Sequence, residues 1–455
     1  MTSPCERFLL LRLAMQDSVR MIAPEGVALQ FQPTSRMATP NRVRQFSALF
    51  IAALAFASLA HSQVQRCSPA TPEATRAHLS LVLHALDTFP RHPIHLFRLA
   101  ADYVALCEDS VAFDALNKMA DSYGGLDPSL YRSFSRVQSS TRFREIVAKI
   151  RQRNLPIVAS RVAFTLARPD LFPEGMAYDS ATRRVYAGST ARNIVWTDST
   201  GTLHDLVSSG QDGLGAVLGL HIDARRHHLW AVSTGASGPG AARAVRGLFQ
   251  YDLADGKLIA RYAIPDTSAE YTFNDVVVVP STGIAYTTHT PRGSVYAAVP
   301  GDALLREIVP PGSLPQANGI TVGADDSALF VAAGFGVSKV DLRTRRVTTL
   351  ELAPGVVAAT LDGLYRYGRS LIGIQNGVHP GRVMRFDLDS TLSTITRAIV
   401  LEAYNPLFDR PTTGAVSGES FFFMANPNQG RGNAGQVQDP ANLKPVLVLR
   451  LSLRP

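Results

Sequence analysis

A short phrase returns six times between Glu174 and Ala415, and it leaves few folds open. Each copy is one variable residue, then Gly or Asp, then alternating apolar positions: Glu174-Gly175-Met176, Leu218-Gly219-Leu220, Asn274-Asp275-Val276, Asn318-Gly319-Ile320, Asp362-Gly363-Leu364 and Thr413-Gly414-Ala415. Their starts lie 44, 56, 44, 44 and 51 residues apart, a period at which propeller blades and solenoid units come before any other fold. The text after each copy chooses between them. Beyond Asp362 come Leu364-Tyr365-Arg366-Tyr367, Ser370 to Ile374, Arg382 to Leu388 and a further apolar run, each bounded by Gly, Pro or Asn. The Asn318 copy repeats the plan with Ala328 to Ala332, Val337 to Leu342 and Val347 to Leu352. Evenly spaced short β runs with turn residues between them indicate a sandwich or a propeller. A sandwich has no reason to repeat its own loop chemistry, so the recurrence predicts a mainly β chain folded as a six-bladed β-propeller.

A ring of sheets must also close, because an open last blade leaves an unpaired edge in solvent. The sixth blade shows only Gly414 to Val416, Ser420 to Ala425 and Pro445 to Leu453. The run Arg161-Val162-Ala163-Phe164-Thr165-Leu166 precedes the first copy and belongs to no blade of its own. It is therefore expected to supply the missing outer strand.

Ahead of the propeller the pattern changes twice. Asn41-Arg42-Val43-Arg44, the apolar run Phe46 to Ala60 and Ala60-His61-Ser62 have the charged, apolar and small-residue order of a secretory signal. Met37 is then the expected true start, and residues 1–62 form an extension plus signal peptide outside the folded protein. The apolar run is about 15 residues where a span needs about 20, so no membrane association is expected after cleavage, and the chain is expected in the periplasm or secreted. From Thr71 to about Asn154 the period becomes 3.6: Leu79, Val82, Leu83 and Leu86 make one stripe, Leu96, Leu99, Ala100 and Tyr103 another, answered by Ala112 and Leu116 and then by Phe143, Ile146, Val147 and Ile150. The spacing resembles one tetratricopeptide unit. One unit cannot build a concave peptide groove, so residues 63–155 are expected to cap the propeller of residues 156–455, with a protein partner on the helices as the alternative.

Composition removes other classes. The formal charge of +8 falls to +5 when residues 1–62 are set aside, and the excess is scattered as single Arg residues with no basic run or aromatic platform. Nucleic acid is not an expected partner. Cys67 and Cys107 are the two cysteines left in an exported chain and are expected either to pair or to remain free thiols. Gly213-Leu214-Gly215 lacks the third Gly and the βαβ setting of a dinucleotide site. There is no Gly-x-Ser-x-Gly elbow and no His-Glu-x-x-His helix.

The chemistry lies in what varies at the head of the phrase. Innermost strands start at the rim of the central channel, so Glu174, Leu218, Asn274, Asn318, Asp362 and Thr413 converge there. Two carboxylates and two carboxamides from four blades are hard oxygen donors suited to a divalent cation, Ca²⁺ first, with Zn²⁺ or Mn²⁺ as the other candidates. Asn and Asp are also common turn residues, and that plainer role stays open.

Pro173-Glu174-Gly175, Phe273-Asn274-Asp275, Ala317-Asn318-Gly319 and Leu361-Asp362-Gly363 together resemble the signature segments of the senescence marker protein, gluconolactonase and luciferin-regenerating enzyme family of six-bladed propellers. The resemblance runs from about Arg161 to Leu453. It implies that Glu174, Asn318 and Asp362 hold the metal, that Asn274 meets substrate or a water on the cation, and that Asp362 also takes the proton in lactone hydrolysis. Sugar-lactonase members often carry Arg two residues before the Asn of the third blade, and here that position is Thr272. A sugar-acid substrate thus loses an anchor, and the mouth is expected to be lined instead by Leu218, Tyr271, His289, Gln375, Asn376 and His379. The expected partner is a small lactone or ester. The rival class is a non-catalytic platform with a structural metal, its partner surface on the helices and the Gly235 to Arg246 loop.

Overall fold

The computed structural model describes residues 72–454 apart from 89, 123–124, 199, 236–243, 265–271, 335, 378–380, 430, 434–435 and 438–439. Cys67, Tyr271, His379, residues 1–62 and most of the Gly235 to Arg246 loop thus lie outside the described residues. Cys107 lies within them and is disulfide-bonded.

Among the described residues the strands form six blade sheets in ring order, antiparallel but for one added strand, and a separate two-stranded ribbon of Gly432–Asn433 and Gln436–Val437. Blade 1 is Pro173–Asp179, Arg184–Ser189, Ile194–Thr197 and Leu203–Val207. Blades 2, 3 and 4 open with Ala216–Asp223, Phe273–Val278 and Ile320–Val322, and each adds three strands outward. Blade 5 opens with Leu361–Tyr367 and ends with Thr394–Ala403. Val347 to Leu352, expected as one strand of blade 4, breaks at Leu350. Val347–Thr349 stays in blade 4, while Glu351–Leu352 pairs in parallel with Thr394 and Ile395 of blade 5. Leu350 is only 3% exposed and its N–H bonds to the Val337 carbonyl, so the chain is pinned at that point and its end is free to cross.

Blade 6 confirms the closure. Gly414–Ser417, Ser420–Met424 and Val446–Ser452 are completed by Arg161–Leu166, which runs antiparallel to Val446–Ser452 with Leu166 opposite Val446. Period-two side chains explain why the ring holds. Phe422 and Met424 join a buried cluster with Met176, Val185 and Val195 of blade 1, while Phe421 and Phe423 face Ile372 and Ile374 of blade 5. The same alternation builds one apolar layer between each successive pair of blades.

Among the described residues, four α-helices precede the ring: α1 (Pro72–Thr88), α2 (Pro93–Ala105), α3 (Asp109–Ser122) and α4 (Thr141–Arg153). They bury Leu96, Ala100, Ala112, Leu116, Phe143, Ile146, Val147 and Ile150 in a core of their own, around Phe134. The fully buried Ala100 and Ala112 lie where α2 and α3 meet. On α1 the expected stripe is only partly right: Val82 is buried, Leu86 packs on the core, and Leu83 is 41% exposed. The helices rest on blades 4 and 5. His92 bonds to the backbone of Gly334, Arg382 Nη2 donates to Asn154 Oδ1 at 3.2 Å, and Ile157 and Ala403 exchange two backbone bonds of 2.8 and 3.0 Å.

This contact has a pH dependence. His92 and His95 are both buried with ring centroids 4.2 Å apart. Arg98 and the His78–Asp102 pair, 2.7 Å apart, are the charged groups around them. Burial first, then neighbouring positive charge, lowers His92 to about 3 and His95 to about 4. Because these values lie below the unfolded 6.5, their stabilising share is complete above pH 6.5 and is lost as pH falls from there. Each uncharged histidine contributes a slope of up to about 1.4 kcal/mol per pH unit. Urea unfolding followed by helical circular dichroism should show a lower midpoint at pH 5 than at pH 7, with a flatter profile for His92→Gln/His95→Leu. Parallel profiles for variant and parent would rule out these two histidines as the cause.

Candidate functional site

The second residue of the phrase explains how the heads come together. A Cβ on Gly175 would stand 2.9 Å from the carbonyl carbon of Gly219; on Gly219, 2.7 Å from Asn274 O; on Gly319, 2.4 Å from Leu364 N. Neighbouring innermost strands are therefore in backbone contact at this level, and only glycine fits. Between blades 4 and 5 the contact includes a hydrogen bond, Gly319 N–H to Asp362 O at 2.8 Å. In blades 1, 2, 3 and 5 the ladder to the second strand shifts register at the phrase. Such a bulge takes a side chain out of the regular alternation and re-aims it.

Asp275 stands where other copies carry glycine, and it does a different job. Its carboxylate accepts Val276 N–H at 2.8 Å and, across the blade boundary, Ile320 N–H at 3.2 Å. Two threonines of blade 3 extend the link. Thr288 Oγ1 accepts Asp275 N–H at 3.2 Å and donates to Asn318 O at 2.7 Å. Thr290 Oγ1 accepts from Asn274 Nδ2 at 3.1 Å and donates to Ala317 O at 2.6 Å. The head of blade 4 is thus held by side chains of blade 3.

The polar centre is Asp362. Its Oδ2 accepts from Thr412 Oγ1 at 2.7 Å and from Asn376 Nδ2, and the Asn318 side chain bonds to the same carboxylate. Burial raises the Asp362 carboxyl, and these three donors pull it back. Glu174 is raised to about 8 by burial and then by the Asp362 charge, with a Gln429 hydrogen bond opposing. Asp275 is raised to about 7, again mainly by burial, with Asp362 adding to the rise. Tyr365 accepts Gly414 N–H at 2.7 Å, and burial pushes its hydroxyl well up. His221, on the innermost strand of blade 2, is held at about 4 by burial.

The structure thus gathers Glu174, Asn318 and Asp362. It ties Asn274 to Thr290 rather than to Asp362. Asn376, expected to meet substrate, donates instead to the Asp362 carboxylate. Thr272 stands beside the first residue of blade 3, and its carbonyl accepts Thr290 N–H at 3.3 Å. His289 is fully buried: Nδ1 accepts Arg292 N–H at 3.0 Å, the ring meets Phe273 edge-on, and burial depresses it to about 4. Gln375 is equally buried, donating to Ala359 O at 2.8 Å and Val357 O at 3.3 Å. Asp275, Tyr365, His221, Thr412 and Gln429 are additions to the sequence reading. Asp275 had a visible signal, as the sole acid among five glycines at its position of the phrase.

No family model matches the chain, and no curated protein matches it either. Solved structures that align with it include the calcium-binding protein regucalcin of Agrobacterium tumefaciens, 16% identical over 65% of this chain and 94% of that one, with a TM-score of 0.45. A luciferin-regenerating enzyme aligns at 14% identity over 66% and 95%, TM-score 0.42. The PQQ-bound aldose sugar dehydrogenase of Streptomyces coelicolor aligns at 16% over 66% and 100%, TM-score 0.44. The chain itself is a six-bladed β-propeller. At such identities and scores the likeness carries no argument about chemistry, which rests on the residues of this site.

The donor set suits a hard cation. Two buried carboxylates within each other's field raise one another's cost of ionisation, and a cation removes that cost. The set is two carboxylates and an amide; among the described residues no three His, Cys, Asp or Glu side chains gather as a metal cluster. Glu174, Asp362 and Asn318 are the residues that would hold the ion.

Proposed function

We propose that this protein is an exported metal-dependent hydrolase of a lactone or ester, working at the mouth of the propeller channel. The observation that carries the reading is the buried Glu174 and Asp362 pair, with Asn318, Asn376 and Thr412 all directed at the Asp362 carboxylate. When bound, a divalent cation, Ca²⁺ before Zn²⁺ or Mn²⁺, supplies charge that polarises the carbonyl to be attacked. Asp362 takes the proton of the attacking water and returns it to the alkoxide oxygen that leaves as the acyl C–O bond breaks; burial makes this carboxylate a stronger base than one in solvent. Thr412 and Asn376 hold it in one orientation through Oδ2. Asn274, anchored on Thr290, would meet the substrate or its water, and Thr272, in place of an arginine, would suit a less polar substrate than a sugar acid.

The experiment is metal analysis of the purified mature protein, followed by hydrolysis of a lactone and aryl-ester panel with and without chelator. Bound stoichiometric metal and chelator-sensitive turnover are expected. Metal without turnover on any substrate would favour a binding platform, and absence of metal after reconstitution would overturn the site.

A further inference from the structure

The helices dock on the mouth of the channel, beside the chain that leads into Asp362. Gly334 lies between the second and third strands of blade 4, and Val356 to Thr360 lies just before the innermost strand of blade 5. Both connections belong to the end of the ring where the phrase heads stand. α2 begins there. His92 caps it, its Nδ1 accepting His95 N–H at 3.2 Å, and also bonds to the Gly334 backbone. Ile94, in the first turn, packs on Val357 and Ala359, which are 6% and 2% exposed. Gln375 Nε2 donates to the carbonyls of these same two residues. Thr360 N–H reaches Gly334 O at 3.4 Å, and its φ of 59° turns the chain sharply into Leu361 and Asp362.

Val357 to Ala359 is thus gripped between a helix and Gln375, three residues before the site carboxylate. Gln375 is itself followed by Asn376, the Asp362 donor. A left-handed φ at a threonine is costly and persists only where the surroundings impose it. Packing by Ile94 and the two hydrogen bonds from Gln375 hold the residues that lead into it. Beyond α4 the Asn154–Arg382 bond and the Ile157–Ala403 pair fasten the far end of the helical segment to the same blade.

We propose that the helical segment is an internal brace of the site, with Ile94 a positioning residue that sets Asp362 through residues 357–360. The ligand consequence rests on reading Asp362 as a cation ligand; the bracing itself does not. In the full mature chain, Ile94→Asp, Ile94→Ala and Ile94→Val are compared with Leu83→Asp, whose site on α1 is 41% exposed. Amide exchange over 357–364 is measured without metal, and the Ca²⁺ dissociation constant is measured by titration. Ile94→Asp should raise exchange in this stretch and weaken Ca²⁺ by about tenfold or more, a change of about 1.4 kcal/mol or more. Ile94→Ala should act in the same direction, while Ile94→Val and Leu83→Asp should match the parent. If Ile94→Asp fails to fold, Ile94→Ala carries the test. Unchanged exchange in Ile94→Ala overturns the brace, and raised exchange with unchanged Ca²⁺ affinity overturns its link to the site. A parent that binds no Ca²⁺ overturns the cation reading instead, and the exchange result still decides the brace.

Discussion

A chain that starts at Phe172 is expected to lose the propeller as a cooperative unit, because the strand Arg161–Leu166 is the outer strand of blade 6. Its removal strips Phe164 and Leu166 from the layer between blades 6 and 1, where Leu166 is fully buried and Phe164 is 9% exposed. Each such side chain is worth about 1.5–3 kcal/mol of burial. It also bares Val446–Ser452 as an open edge, and exposed apolar edges pair with other chains. The expected result is aggregation, or a melting temperature lower by about 4–8 °C or more. Leu166→Asp in the full chain is the sharper version, since it keeps the helices and buries an unpaired charge at the seam. A truncated chain that is monomeric and melts with the parent would show that the ring closes without this strand.

The closure was legible because the ring imposes a count. Six phrases announce six blades, blade 6 falls a strand short, and Arg161–Leu166 is a β run with no blade to join. What escaped was decided by contacts between distant residues. Glu351–Leu352 crosses to blade 5 because the chain is fixed at Leu350 and free beyond it. Leu83 reads as part of a helical stripe, yet it is exposed, while Val82 is buried and Leu86 packs on the helical core.

The site divides along the same line. Glu174, Asn318 and Asp362 were visible because a repeated strand repeats its geometry, so residues at one position of the phrase share one rim. His289 and Gln375 sit at the inner ends of second strands, where polarity suggests an open mouth. In the structure His289 lies against Phe273 and Gln375 under the 357–359 stretch, contacts no local pattern encodes. Thr412 directly precedes the sixth phrase, where the other copies carry Pro173, Val217, Phe273, Ala317 and Leu361, and Gln429 lies between the second and third strands of blade 6, where no phrase runs. Asp275 was in plain view, but its use as a bridge to Ile320 depends on where blade 4 stands.

Glu174→Gln and Asp362→Asn should each remove most bound divalent metal, while Asn318→Ala should weaken it less. Attraction between a cation and its ligands is dominated by charge, and these are the acidic members of the gathered set. Asp362→Asn should in addition abolish hydrolysis at saturating metal, because an amide cannot accept the proton of water. The variant also inverts a local pattern: Thr412 and Asn376 donate to Oδ2, and an amide nitrogen placed there would face two donors, so the side chain should settle with its oxygen toward them. The fold should therefore survive while the proton acceptor is gone, which separates chemistry from stability. Thr413→Ala is the control: it is an uncharged head whose hydroxyl donates to the Glu174 backbone carbonyl at 2.8 Å rather than to the gathered side chains. Metal content by mass spectrometry and melting curves with and without Ca²⁺ give the answer. Equal metal in parent, Glu174→Gln and Asp362→Asn would reduce the polar heads to turn residues and leave a propeller that binds rather than hydrolyses.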